Sequence, residues 1–186
     1  MRDIKALQNQ IWITRMSRIN AEKRLINKEN FIQGINVYYS CISIFFSILT
    51  LINPNDKLSL MTVLMTIALS LMILYFNGQR NLKNAREYRK NYTELQKLEF
   101  ELNYLDGTEK ESIQRIENIY CELMNSSSNH ISYDYYVAVY KSKKEYREPL
   151  WKDIKIRFWW DVLWRVCIKV CLITLPVILY ILCGRN

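Results

Sequence analysis

Six polar residues run along the first apolar segment of this chain: Gln33, Asn36, Ser40, Ser43, Ser47 and Thr50. Their spacings are 3, 4, 3, 4 and 3, which on a helix makes one seam with a period of about 3.5 residues. The residues between them are apolar, among them Ile35, Val37, Tyr39, Ile42, Ile44, Phe45, Phe46, Ile48 and Leu49. Hydrocarbon solvates such a face poorly, so it must meet protein or water. Uncharged hydroxyls and amides suit a weakly polar, poorly ion-selective water path. Small hydroxyl residues also let membrane helices approach closely, so packing alone is the competing reading. A second set, Ser59, Thr62, Thr66 and Ser70, offers a matching stripe that would consume the first inside one chain.

Other chemistry is sparse. The single histidine, His130, sits in a polar stretch, and the chain has no Gly-rich phosphate loop and no nucleophile elbow. Glu94, Glu99 and Glu101 lie among Lys97 and other polar residues and read as a solvated helix face. Cys41, Cys167, Cys171 and Cys183 lie in apolar segments and Cys121 in a polar one, with no zinc-ligand or disulfide-scaffold spacing. They are expected to be small buried hydrophobes. The sequence therefore offers no catalytic, cofactor-binding or metal-ligating set, and an enzyme is not expected. Arg80, Lys83, Arg86 and Lys90 put four cations on one side of a helix. No aromatic platform interleaves with them, so direct nucleic acid binding is not expected.

The elements that must position the stripe follow from hydropathy. No charged residue occurs between Glu29 and Asp56, a gap of 26 positions, nor between Lys57 and Arg80, a gap of 22. A bilayer core of about 30 Å takes about 20 helical residues, so both gaps read as spans, near 33–53 and 58–77. Asn53-Pro54-Asn55-Asp56 between them is strong turn chemistry, giving a tight hairpin over 31–77. Residues 1–30 form an amphipathic helix, or two short ones, with Ile4, Leu7 and Ile11, then Trp12, Met16 and Ile19, on the apolar side. They carry seven Lys or Arg against three acids, and the second span is followed by Arg80, Lys83, Arg86, Arg89 and Lys90. Positive charge on both flanks puts the N-terminus in the cytoplasm and the hairpin loop outside. No signal peptide is expected, because the first apolar run starts past residue 30.

The cytoplasmic region, 78–148, continues the second span as a stalk with a seam of Tyr88, Tyr92, Leu95, Leu98, Leu102 and Leu105. Asp106-Gly107 ends that helix, Thr108 with Glu111 has capping-box spacing for the next, and a further helix is predicted from Ser132 to about Tyr146. In 149–186, Trp151, Trp159, Trp160 and Trp164 stand among basic residues and, with Arg80 and Lys83, mark the membrane interface. The apolar run that follows, 166–183, is read as a third span containing Pro176, with a re-entrant or buried helix as the alternative. The fold class is thus an all-α membrane protein: a transmembrane hairpin with an N-terminal amphipathic helix, a cytoplasmic helical bundle and a third C-terminal membrane helix.

The stretch Ile11-Trp12-Ile13-Thr14-Arg15-Met16-Ser17-Arg18-Ile19-Asn20-Ala21-Glu22-Lys23-Arg24-Leu25, directly before a two-span hairpin, resembles the SLATT family. The short loop, the basic helix after it, Asn129-His130 and Asp134-Tyr135 resemble it too, and the C-terminal apolar segment looks like the reverse-transcriptase-associated branch. The resemblance implies an oligomeric effector of bacterial conflict systems that permeabilises the inner membrane when a partner sensor fires, the sensor being a reverse transcriptase or nucleotide-signalling enzyme. Arg15, Arg18 and Arg24 are the candidate contacts to a partner or an inhibitory latch, against an alternative of ordinary surface cations. The rival reading is a membrane-tethered adaptor whose cytoplasmic helices recruit a soluble protein.

Overall fold

A computed structural model describes residues 4–77, 80–105, 109–126, 131–141 and 151–183. Among them there are only helices: α1 (Ile4–Ile52), α2 (Asp56–Asn77), α3 (Asn81–Asn103), α4 (Lys110–Asn125), α5 (Ser132–Lys141) and α6 (Trp151–Cys183). Three of these, α1, α2 and α6, carry stretches long and apolar enough to cross a membrane.

The amphipathic N-terminal segment and the first span are one uninterrupted 49-residue helix, α1. No glycine or proline pair interrupts it, and Gly34 alone is too weak a breaker to end it. The hairpin turn forms where the Asn-Pro pair demands it. Asn55 caps α2, its Oδ1 accepting the Leu58 amide at 3.1 Å. Beyond α2 the predicted stalk begins as a separate helix. Arg80 has φ 45, in the left-handed region, and α3 begins at Asn81. That conformation cannot continue a right-handed helix. Thr108 lies outside the described residues. Glu109 occupies the N-cap position of α4 without a side-chain cap. The helix predicted over 132–146 is α5, described as far as Lys141.

The chain divides into two compact units that are each discontinuous in sequence: Met1–Ile26 with Asn81–Asp161, and Asn27–Arg80 with Val162–Asn186. In the first, the polar unit, Leu7 and Ile11 of α1 pack with Leu95, Leu98 and Leu102 of α3 and Ile116 of α4. A second small cluster joins Ala21 and Leu25 to Ala85 and Tyr88. Phe158 stacks on Tyr140 at 4.8 Å and on Tyr133 at 6.1 Å.

In the second, the apolar unit, Ile35, Tyr39 and Phe46 of α1 pack against Leu58, Met61, Met65 and Leu69 of α2, with Leu172 and Leu179 of α6 against them. Phe46 stacks on Tyr180 at 5.5 Å. Lys169 lies over the Phe31 ring at 5.0 Å. Residues 31, 39 and 46 thus meet 169, 172 and 180, so α6 runs parallel to α1. Outward-facing Ile44, Phe45, Ile48, Leu64, Ile67, Leu71, Val177 and Leu182 are all more than 50% exposed. In water that surface would be prohibitive; in hydrocarbon it is the expected face.

Candidate functional site

The polar stripe of α1 lies on the shoulder of the hairpin interface. Ile35, Tyr39 and Phe46 face inward. At 100° per residue the stripe is centred about a quarter turn from them. Consequently Gln33 and Ser47 are exposed, Asn36, Ser40 and Thr50 are half-buried, and Ser43 alone is buried.

The hydroxyls bond back to their own helix. Ser40 Oγ donates to the Asn36 carbonyl at 2.8 Å, Ser47 Oγ to Ser43 at 2.8 Å and Thr50 Oγ1 to Ser47 at 2.9 Å. The second stripe does the same: Thr62 donates to Leu58, Thr66 to Thr62 and Ser70 to Thr66. The two stripes are therefore not zipped together by these groups. Ser43 Oγ is buried without a hydrogen-bond partner. It belongs to the packed side of the helix rather than to an open face.

Sequence reasoning missed the contact that ties α6 to α1. Pro176 lies within α6 and has no amide proton, so the Leu172 carbonyl four residues earlier loses its helical donor. Tyr39 supplies the replacement, its hydroxyl donating to Leu172 O at 2.7 Å. Tyr38 donates to the next carbonyl, Ile173 O, at 2.9 Å. An intramembrane proline needs such a donor, and two tyrosines in the opposite span were the available signal.

In the polar unit, the three candidate latch arginines are all engaged within the chain. Arg15 pairs with Glu99 at 2.9 Å. Burial nevertheless raises the Glu99 carboxyl above its ordinary range, and Arg15 offsets only part of that. Arg24 grips Asp134 with two hydrogen bonds, Nε to Oδ1 at 2.9 Å and Nη2 to Oδ2 at 3.0 Å. Asp134 is fully buried and sits in the first turn of α5, where its carboxylate also accepts the Ile131 amide at 3.3 Å. That is half of a capping box, and it places negative charge at the positive end of a helix. Asn20 completes the site by donating to the Asp134 carbonyl at 3.3 Å.

Arg18 is the third. It is fully buried, with Nη1 on the Leu123 carbonyl at 3.2 Å and Nη2 on Met124 Sδ at 3.5 Å. Leu123 lies in the last turn of α4, whose carbonyls lack helical donors. Asn91 Nδ2, at 2.8 Å, and Ser126 Oγ, at 3.1 Å, reach the same oxygen. Arg18 is thus a C-terminal cap of α4. Burial lowers its pKa, with Tyr120 and Tyr88 opposing. Beside it, buried Glu22 takes Arg89 Nε at 2.6 Å. The pKa of the nearby Tyr92 hydroxyl is raised by burial first and by Glu22 second.

None of the three is a free surface cation. Asp134, which Arg24 holds, and Glu22, which Arg89 holds, were given no site role from the sequence. The two stretches that bear the family resemblance, Arg18–Arg24 and Asp134, meet in space.

The interface residues divide. Trp159, Trp160 and Trp164 are 55%, 69% and 63% exposed, as side chains bathed in headgroups would be. Trp151 opens α6, and its side chain is outside the described residues. Arg80 is exposed, and Lys83 lies 4.0 Å from Glu87 on the same helix face. His130 lies outside the described residues. The cysteines depart from expectation: Cys41, Cys121, Cys167 and Cys171 are all exposed. Three of them sit on helix faces that lipid would cover, where a small apolar thiol needs no partner.

No curated protein and no solved structure matches this chain. A family model does, over residues 2–182, nearly the whole length and both compact units. Its family is named for two spans, whereas among the described residues three helices are apolar and long enough to cross. The match, the apolar hairpin and the helical polar unit agree, and the chain belongs to the SMODS and SLOG-associating 2TM effector domains, family 5, a family of membrane effectors of conflict systems.

Proposed function

We propose that this protein is an antiviral effector of the bacterial inner membrane whose copies assemble and open a water path along the polar shoulder of α1. A partner sensor gives the signal, and leakage then kills or arrests the infected cell. The observation that carries the reading is that the hairpin and α6 leave Gln33, Asn36, Ser40, Ser47 and Thr50 at least partly exposed. A lone chain presents that face to hydrocarbon, and only neighbouring copies can turn it toward water. Three helices per chain cannot enclose a path alone, so oligomerisation is part of the reading. The hydroxyls already satisfied on their own helix make a weakly polar wall, and no charge lies on it, so the path would discriminate poorly between ions.

The test replaces the exposed members and spares buried Ser43. Ser40→Leu with Ser47→Leu is expected to reduce dye or ion leakage from cells expressing the full chain at least about tenfold, the effect of a hydrophobic, dewetted constriction. Membrane insertion should be unchanged. Leakage equal to that of the unmodified chain would remove the lumen assignment. Absence of leakage from both, with a soluble protein retained by the cytoplasmic helices, would instead support the tethered adaptor.

A further inference from the structure

Arg18 is fully buried in the polar unit, yet its guanidinium is poorly served. Nη1 reaches the Leu123 carbonyl at 3.2 Å and Nη2 reaches Met124 Sδ at 3.5 Å, while Nε is buried with no partner. Among the described residues no carboxylate is paired with it. The Leu123 carbonyl does not depend on it either. A carbonyl oxygen has two lone pairs, and Asn91 Nδ2 at 2.8 Å and Ser126 Oγ at 3.1 Å both lie closer to it than Arg18 does.

One turn along α1 stands Glu22, also buried. Its two contacts from Arg89, Nε and Nη2, each at 2.6 Å, fall on the single oxygen Oε1. Side chains four positions apart on a helix are neighbours. Glu22 is therefore placed between two cations, Arg18 inside the unit and Arg89, whose side chain is 64% exposed.

We propose that Glu22 is passed between these two arginines: Arg89 holds it at rest, and Arg18 receives it when a carboxylate of a partner protein docks on the exposed Arg89 guanidinium. A carboxylate is the group that can compete with Glu22 for both guanidinium contacts. The exchange strands no charge. Arg89 keeps an anion, Arg18 gains the one it lacks, and the Leu123 carbonyl retains its two nearer donors. The mechanical consequence follows from where the bonds lie. At rest, Glu22 ties α1 to α3 and Arg18 ties α1 to α4; after the exchange, the Arg18–Glu22 pair lies wholly within α1. One turn of α1 is thus unfastened from both neighbours. The device is independent of whether the shoulder of α1 lines a path.

The full chain, with isotope-labelled arginine and in detergent micelles, is read by NMR at the Arg18 Nε–H, assigned by its loss in Arg18→Met. Thr93→Glu, at an exposed position one turn from Arg89, sets a rival carboxylate beside that guanidinium and stands in for the docked acid. Arg89→Met removes the resting partner outright. Both are expected to shift the Arg18 resonance, and Glu22→Gln added to either should abolish the shift. Chemical denaturation followed by circular dichroism supplies a second measurement. Arg89→Met should lower the folding equilibrium constant less than about tenfold in the native chain, but at least about a hundredfold in an Arg18→Met background, where Glu22 is stranded. An Arg18 resonance that stays in place in either single variant, or that still shifts with Glu22→Gln present, would overturn the proposal. So would equal losses in the two backgrounds.

Discussion

Arg24 and Asp134 show how a pair of charges can hold two remote stretches of chain in one arrangement. Asp134 is wholly buried and Arg24 only 18% exposed, with both guanidinium contacts aligned. Removing one partner strands the other, and a stranded buried charge costs more than the intact pair contributes. Arg24→Met is therefore expected to destabilise the polar unit by about 3–5 kcal/mol. Asp134→Asn in the same chain should return most of that, because asparagine still accepts the Ile131 amide without carrying a charge. Chemical denaturation of the four combinations, followed by circular dichroism of detergent-solubilised protein, measures the coupling. Additive losses would show that the two side chains do not act as a pair. Arg18 differs in kind, since it faces carbonyl and thioether groups and no carboxylate. Its contribution is to cap α4 and fill the polar core, so lysine, with one donor point in place of a planar fork, is a poor substitute.

Among the helices, those whose partners are solvent or lipid were legible and those whose partners are distant residues were not. The second uncharged gap falls on α2 and the first ends close to where α1 ends, and the Leu95, Leu98 and Leu102 seam is buried as its spacing required. The N-terminal half of α1 was legible only at its start, where Leu7 and Ile11 are buried as their spacing required. Its spacing favoured Trp12, Met16 and Ile19, yet these are only half-buried, while Thr14, Ser17, Arg18 and Glu22 are buried. The partners of Thr14, Arg18, Asn20 and Glu22 come from α3, α4 and α5, residues 67 to 114 positions away, and local periodicity carries no trace of such pairing. The same holds for α6, where Pro176 announced an orphan carbonyl but not its donor. The donor makes a quantitative expectation possible. Tyr39→Phe should cost about 1 kcal/mol of resistance to SDS-induced unfolding in mixed micelles, the usual worth of an interhelical hydrogen bond in a membrane. In a Pro176→Ala background, where the helix supplies its own donor to Leu172, the same substitution should cost little. Equal costs in both backgrounds would mean that the tyrosine acts only by packing.

Within the apolar unit, the register between helices predicts a topology that charge alone left open. Basic residues flank the first two spans, and the hairpin loop carries one lysine and one aspartate, so the positive-inside rule predicts both flanks on the cytoplasmic side. That rule says little about α6, whose apolar run is short and follows a mixed aromatic and basic stretch. The contacts of Phe31 with Lys169, Tyr39 with Leu172 and Phe46 with Tyr180 set α6 parallel to α1, so its C-terminal end lies at the level of the hairpin loop. If α1 and α2 both cross, α2 returns the chain to the side from which α1 set out, and a parallel α6 is expected to leave that side again. Single cysteines read this directly. In intact cells, an impermeant maleimide should label Asn55→Cys in the loop and Asn186→Cys at the chain end, while native Cys121, exposed on α4, should react only after the membrane is permeabilised. Protection of Asn186→Cys together with labelling of Asn55→Cys would mean that α6 packs beside the hairpin without crossing, leaving two spans in place of three. Labelling of Cys121 in intact cells would invert the whole molecule, and with it the side from which any sensor must act.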